Sequence, residues 1–324
     1  MLSRVAEAIY WMSRYLERAE NIARFLDVNW HLTLDTPGGR GEQWMPLVSA
    51  MGDHSLFTAR GLAGNRKSVI RFLAFDQEYP NSIVNCLARA RDNARTIREI
   101  IPTEMWEQTN MFFHVVGEAA RDCETVLNNP YKFCDEVKRR DLTISGIAGD
   151  AMNHDEAWDF FRLGRLLERA DKTSRILDVK YFILLPHPTD IGSNLDYVQW
   201  GALLKAISAL EAYRRRHGRI QPERIVEFLL LDHDFPRSVL CCLIKAQECL
   251  HAITGTRAGY FANPAEKRIG LLCGDLAYSG LEEIFSAGLH EFTDNLQTRM
   301  NLVDTAVFDT FFSTFPAIDA AAQQ

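Results

Sequence analysis

Two sets of charged residues in this sequence could do chemistry as groups. Arg14, Glu17, Arg18, Asn21 and Arg24 form the first, and Arg165, Glu168, Arg169, Lys172 and Arg175 form the second. Arg, Glu, Arg and Arg stand at the same relative positions, 0, 3, 4 and 10, in both sets. Guanidinium forks at helical spacing can grip a phosphate or carboxylate, and a glutamate beside them can hold an amine or move a proton. On a helical wheel each set falls within an arc of about 120°, opposite an apolar arc.

Three readings of these sets stand side by side. The charges could line a solvated helix face, with intrahelical pairs such as Arg14 and Glu17 worth a few tenths of a kcal/mol each. They could form a buried network in which each glutamate meets an arginine of the other set and fixes their register. Or they could bind a ligand, with Arg14, Glu17, Arg18, Asn21, Arg24, Arg165, Glu168, Arg169 and Arg175 as candidate contacts. A solvated face has little reason to keep the same charges twice, which weakens the first reading.

A further run, Arg89, Arg91, Asp92, Asn93, Arg95 and Arg98, keeps only Lys245 in its counterpart over 245–254, where Gln247, Glu248, Cys249, Leu250 and His251 follow. A structural device should survive in both places, whereas a site can survive in one, so Asn93, Arg95 and Arg98 join the candidate ligand residues. The sequence carries no glycine-rich phosphate loop, His-Glu-x-x-His, Gly-x-Ser-x-Gly or dinucleotide fingerprint. No cofactor or metal is therefore expected, and no catalytic residue is assigned. The scattered histidines, such as His114 and His290, read as packed or surface residues. Cys86 and Cys242 read as small core residues. Trp11, Trp106, Trp158 and the Trp44/Trp200 pair read as core anchors.

The elements that must position these groups are helices. Residues 4–28 place Met12, Tyr15, Leu16, Ala19, Ile22, Ala23 and Leu26 on one arc at about 100° per residue, with Ser3 as N-cap. The same periodicity predicts helices over 44–60, 66–75, 81–100, 103–127, 154–179, 200–216, 222–231, 237–254, 264–285 and 287–313. Pro80 and Pro236 mark helix starts, because proline is tolerated in a first turn. Breakers predict loops at Thr36-Pro37-Gly38-Gly39, Asn128-Asn129-Pro130 and Leu185-Pro186-His187-Pro188. No stretch reads as a strand.

The chain also resembles itself. Residues 4–28 align without gaps to 155–179 with 10 of 25 pairs identical, where chance gives roughly 6%. Residues 43–97 align to 199–253 with 14 of 55 identical. Shared periodicity accounts for matched apolar positions but not for Trp44/Trp200, Asp76/Asp232, Pro80/Pro236, Ser82/Ser238 and Cys86/Cys242. The expected architecture is an all-α helical bundle made of two pseudo-symmetric copies of one multi-helix unit. The copies are 1–150 and 151–324, packed as one domain or two. Residues 140–152, with Ser145-Gly146-Ile147-Ala148-Gly149, are the expected hinge between them.

Composition bounds the rest. At 324 residues, 47% hydrophobic and 24% charged, the chain can bury a large core. A net charge of −7 offers no field for general nucleic-acid binding, although a local basic stripe is compatible with it. The seven cysteines include no Cys-x-x-Cys pair, which argues against a disulfide framework and a zinc ribbon. Charges interrupt the N-terminal segment, and no uncharged apolar run reaches roughly 18 residues. A reduced, soluble, cytoplasmic protein is expected, with neither membrane nor nucleic acid as partner.

MLSRVAEAIYWMSRYLERAENIARFLDVNWHLTLD, FRLGRLLERADKTSRILDVKYFILLP and EFLLLDHDFPRSVL resemble the bacterial alpha-E family, a helical domain named for a Glu-Arg motif, over essentially the whole chain. The motif falls on Glu17-Arg18 and Glu168-Arg169, and the resemblance gives these residues no catalytic role. Members similar to this chain are typically encoded beside, or fused to, a circularly permuted ATP-grasp protein and a transglutaminase-like protein. That setting implies peptide or amide-bond chemistry, with those two proteins as partners and a peptide or carboxylate as ligand. The chain would then be an accessory or enzyme component of such a system. The alternative is a non-catalytic docking module whose Glu-Arg motifs are structural.

Overall fold

The computed structural model describes residues 1–34, 44–182 and 193–313, and every regular element among them is helical. The first half holds α1 (Ser3–Leu34), α2 (Met45–Ala50), α3 (His54–Ala59), α4 (Arg66–Ile70), α5 (Ile83–Thr96), α6 (Thr103–Arg121), α7 (Glu124–Asn128) and α8 (Tyr131–Ala151). The second holds α9 (Glu156–Phe182), α10 (Asn194–Ala206), α11 (Leu210–His217), α12 (Pro222–Leu230), α13 (Val239–Thr254), α14 (Pro264–Tyr278), α15 (Leu281–Ala287) and α16 (Leu289–Val307). One π-helical turn extends α4 at Arg71–Phe75, and another extends α16 at Phe308–Phe312.

Local chemistry sets the helix ends. Ser82 Oγ accepts from the Asn85 amide and Ser238 Oγ from the Cys241 amide, capping α5 and α13. Just upstream, Asp76 Oδ1 accepts from the amides of Glu78 and Tyr79, and Asp232 Oδ1 from those of Asp234 and Phe235. Pro80 and Pro236 thus sit in the turns ahead of the caps, not in first helical turns. α1 begins at Ser3 itself. Asn263 caps α14 ahead of Pro264, and Gly255 closes α13 in the left-handed conformation.

Several predicted helices are cut shorter. Gly52, at φ +80°, ends the first part of 44–60, and Ser208, at φ 54°, divides 200–216 between α10 and α11. The segment 103–127 breaks after Arg121, and 264–285 breaks at Ser279-Gly280. The turn at Asn128-Asn129-Pro130 joins α7 to α8. The loops expected at 36–39 and 185–188 lie outside the described residues.

The expected hinge at 140–152 is instead the second half of α8. Phe133, Cys134, Val137, Asp141, Ile144 and Ala148 recur at helical spacing and are buried. Gly146 and Gly149 face open space, where each weakens the helix by only about 1 kcal/mol.

α1 and α9 pack on each other at the centre. α1 also meets α5, α8 and α10, while α9 meets α13, α16 and α2. α6 bridges α5 and α8, and α14 bridges α13 and α16. One continuous apolar core runs through both halves, with Trp44, Trp200, Tyr79, Tyr213, Cys86 and Cys242 inside it. A helix hidden on all sides has no solvated face, and α1 is buried or nearly so from Ala8 to Asn29. The charged arc placed opposite its apolar arc is therefore interior too.

Candidate functional site

Because α1 and α9 sit face to face, their charged arcs meet. Glu17 is fully buried and is held by the opposite helix: Arg169 Nε donates to Oε1 at 2.8 Å and Nη2 to Oε2 at 2.9 Å. Arg165 Nη2 stands 2.6 Å from Oε2. Glu168 is its mirror: Arg18 Nε donates to Oε1 at 2.7 Å, Arg18 Nη2 to Oε2 at 2.9 Å, and Arg14 Nε to Oε2 at 3.0 Å. Lys172 Nζ lies 3.6 Å from Glu168, and Asn21 Nδ2 donates to Glu17 at 3.1 Å.

The arginines have further anchors. Arg14 Nη1 meets Asp304 of α16 at 2.6 Å and donates to the Tyr10 hydroxyl, while Arg165 grips Asp141 of α8 in a two-point contact at 2.9 and 2.6 Å. Arg24 pairs with Glu20 and donates to the Ala206 carbonyl, the last residue of α10. Arg175 pairs with Asp171 and donates to the Ala50 carbonyl, the last residue of α2. Each of these two arginines therefore satisfies a helix C-terminus, where a cation is favoured.

Electrostatics follow the geometry. Burial alone would raise the Glu17 carboxyl, but the Arg169 and Arg165 guanidinia hold it well below the usual carboxylate range. For Glu168 burial is likewise overcome, by Arg18, Lys172 and Arg14, and its pKa falls to about 2. Asp141 and Asp304 go the other way: burial raises them despite Arg165 and Arg14. Burial pushes the Cys86 and Cys242 thiols up to about 12. Carboxylates this stabilised in the charged form and this enclosed are poor proton carriers. What the arrangement does well is clamp α1 to α9, because breaking a buried pair leaves an uncompensated charge.

Of the three sequence readings, the structure favours the buried pairing: it places Arg14, Glu17, Arg18, Asn21, Arg24, Arg165, Glu168, Arg169, Lys172 and Arg175 in one interior network. Asn93, Arg95 and Arg98 lie elsewhere. Asn93 borders a surface groove of about 730 Å³ shared with Trp11, Tyr15 and Arg89. Arg95 pairs with exposed Asp92 at 3.4 Å, and Arg98 lies over the Trp106 ring, 4.9 Å from its centre.

Sequence reasoning missed Arg237, which donates to Glu20 at 2.9 Å and stands 3.5 Å from Glu17. It also missed Asp141, Asp304, Glu20 and Asp171. The last two were visible as an acid three residues after each motif glutamate. Asn81, the position aligned with Arg237, accepts from Arg18 Nη1 at 2.7 Å. Among the described residues no group of three or more His, Cys, Asp and Glu side chains is placed to hold a metal ion. No described helix is long and apolar enough to cross a membrane.

The alpha-E family model, described as a predicted alpha-helical domain with a conserved ER motif, matches residues 1–312. Among curated proteins the chain is similar to the uncharacterized proteins Mb2597 of Mycobacterium bovis and Rv2567 of Mycobacterium tuberculosis. Each is 26% identical over 278 residues, which cover 78% of this chain. The chain spans only 30% of the length of these relatives. No solved structure matches it.

Proposed function

The chain belongs to the alpha-E family, and on that premise we propose that it is a non-catalytic helical component of a peptide or amide-bond synthesis or modification system. In this reading it docks to a circularly permuted ATP-grasp protein and a transglutaminase-like protein. Its Glu-Arg motifs serve as the internal clamp. The observation that carries the reading is the engagement of both motif carboxylates: Glu17 and Glu168 are fully buried, and every oxygen meets a guanidinium of the other helix. A ligand seeking these arginines would have to displace buried ion pairs, which costs several kcal/mol. The greater length of the mycobacterial relatives supports a role beside other polypeptide.

The reading includes a duplicated ancestry, with 1–150 and 151–324 as copies. Aligned residues doing the same local work support it. Ser82 and Ser238 cap, Asp76 and Asp232 hold the preceding turn, and Arg24 and Arg175 seal helix ends.

The test is co-expression with the ATP-grasp partner. A stoichiometric complex should co-purify, and product formation by the reconstituted system should follow the folded fraction of Glu17→Gln and Glu168→Gln. A variant that keeps the wild-type melting temperature and complex yet abolishes product would make the motif catalytic and overturn the reading.

A further inference from the structure

α14 carries a row of side chains that the bundle leaves uncovered. Its inner face, with Ala265, Ile269, Leu272, Cys273 and Leu276, is buried where it packs on α13 and α16. Outward stand Pro264, Lys267, Arg268, Leu271, Asp275 and Tyr278, all exposed, with Leu271 at 57% and Tyr278 at 92%. At about 100° per residue these six lie on one side of the helix, centred on Leu271. The apolar members, Pro264, Leu271 and Tyr278, form a row about 21 Å long. A row of this kind marks an interaction surface more than a solvated one.

The order of the row says what would cover it. Counted from Leu271, proline lies seven residues before and tyrosine seven after, and lysine four before and aspartate four after. Two such helices crossing antiparallel at Leu271 set Lys267 of each beside Asp275 of the other, and Tyr278 of each over Pro264 of the other. Both charges are available: Lys267 makes no ion pair among the described residues, and Asp275 meets Arg299 through Oδ2 alone. Gly274, with open space around it, leaves room for Arg268 of the facing helix. α6 sits between α5 and α8 as α14 does between α13 and α16, but its outward face lacks this order. Self-pairing about its exposed Met111 would set Glu104 beside Glu118, a like-charge contact.

We infer that the α14 face is covered by the same face of a second molecule of this chain, in a two-fold dimer centred on Leu271 and closed by two Lys267–Asp275 pairs. A two-fold contact needs one self-complementary patch, and this row is self-complementary in both charge and apolar position. The surface is separate from the Glu-Arg clamp and does not depend on the docking reading.

The test is sedimentation velocity on the full chain from about 1 to 100 μM. Wild type should pass from monomer to dimer over this range, and Leu271→Asp should stay monomeric. Lys267→Asp and Asp275→Lys each place two like-charge pairs across the two-fold axis, and each should weaken the dimer about tenfold or more. Mixed in equal amounts, these two variants should associate as wild type does, because each supplies the charge the other lacks. All three changes are at exposed side chains, so the fold is kept. A wild type that stays monomeric throughout, or a dimer indifferent to both charge reversals, would overturn the proposal. So would a monomeric wild type whose Leu271→Asp variant loses only the complex with the ATP-grasp protein, which would give the face to that partner.

Discussion

Gly164 of α9 lies directly against Ser13 of α1, and the two are aligned positions in the self-similar segments. A Cβ at 164 would overlap Ser13 Oγ and come within 2.5 Å of the Tyr10 carbonyl oxygen. The absence of a side chain here lets the two helices approach closely enough for the following residue, Arg165, to reach Glu17.

Gly164→Ala should therefore destabilise the fold by about 2 kcal/mol, as overpacking against a rigid backbone does. Gly146→Ala is the control. It stands in the interior of α8 with open space around it, and should stabilise by about 0.5 kcal/mol. Urea unfolding of the two variants checks both signs.

These glycines also show how far the sequence could be read. The helical class was legible from apolar periodicity, and the reciprocal Glu-Arg option because the charged positions recur among 10 identities in 25. The choice between burial, a solvated face and a ligand site stayed open, because a wheel reports one helix at a time and cannot reveal that α1 is covered on every side. Asp141 was lost with its whole helix: Gly146 and Gly149 read as a hinge, although the buried residues from Phe133 to Ala148 keep helical spacing. Arg237 was hidden by its pairing with Asn81 in the alignment, two side chains with different chemistry at one position.

The clamp should give stability a definite dependence on pH. Glu168 is held at about 2 in the folded chain against an ordinary value of 4.5, so its contribution is complete above pH 4.5 and is lost as pH falls toward 2. The loss is on the order of 3 kcal/mol. Asp141 and Asp304, raised by burial, act in the opposite sense and offset part of it as they take up protons. Unfolding free energies of the wild type and Glu168→Gln across this range should differ in slope, with the variant flatter below pH 4.5.

Thiol chemistry offers a check on the core. Cys86 and Cys242 are buried, with pKa values pushed up to about 12 by burial, whereas Cys123 is half-buried. In native protein at pH 8 a disulfide reagent should label Cys123 first. Cys86 and Cys242 should react only at the rate of unfolding. Peptide mapping of the labelled sites decides the order.

Removing one partner of the clamp should be costly. Glu17→Gln leaves Arg165 and Arg169 facing a neutral group in the interior, and a loss of about 3 kcal/mol or more is expected in urea unfolding. The conservative Arg18→Lys should also lose stability, because lysine cannot reproduce the two-point contact with Glu168.

The central claim is that the motif residues of α1 and α9 hold each other. A double-mutant cycle between Glu17 and Arg169, using Glu17→Gln, Arg169→Gln and the pair, measures that coupling in unfolding free energy. A coupling on the order of 2 kcal/mol is predicted for a buried, two-point contact. A coupling below about 0.5 kcal/mol, as for independent sites, would contradict the clamp.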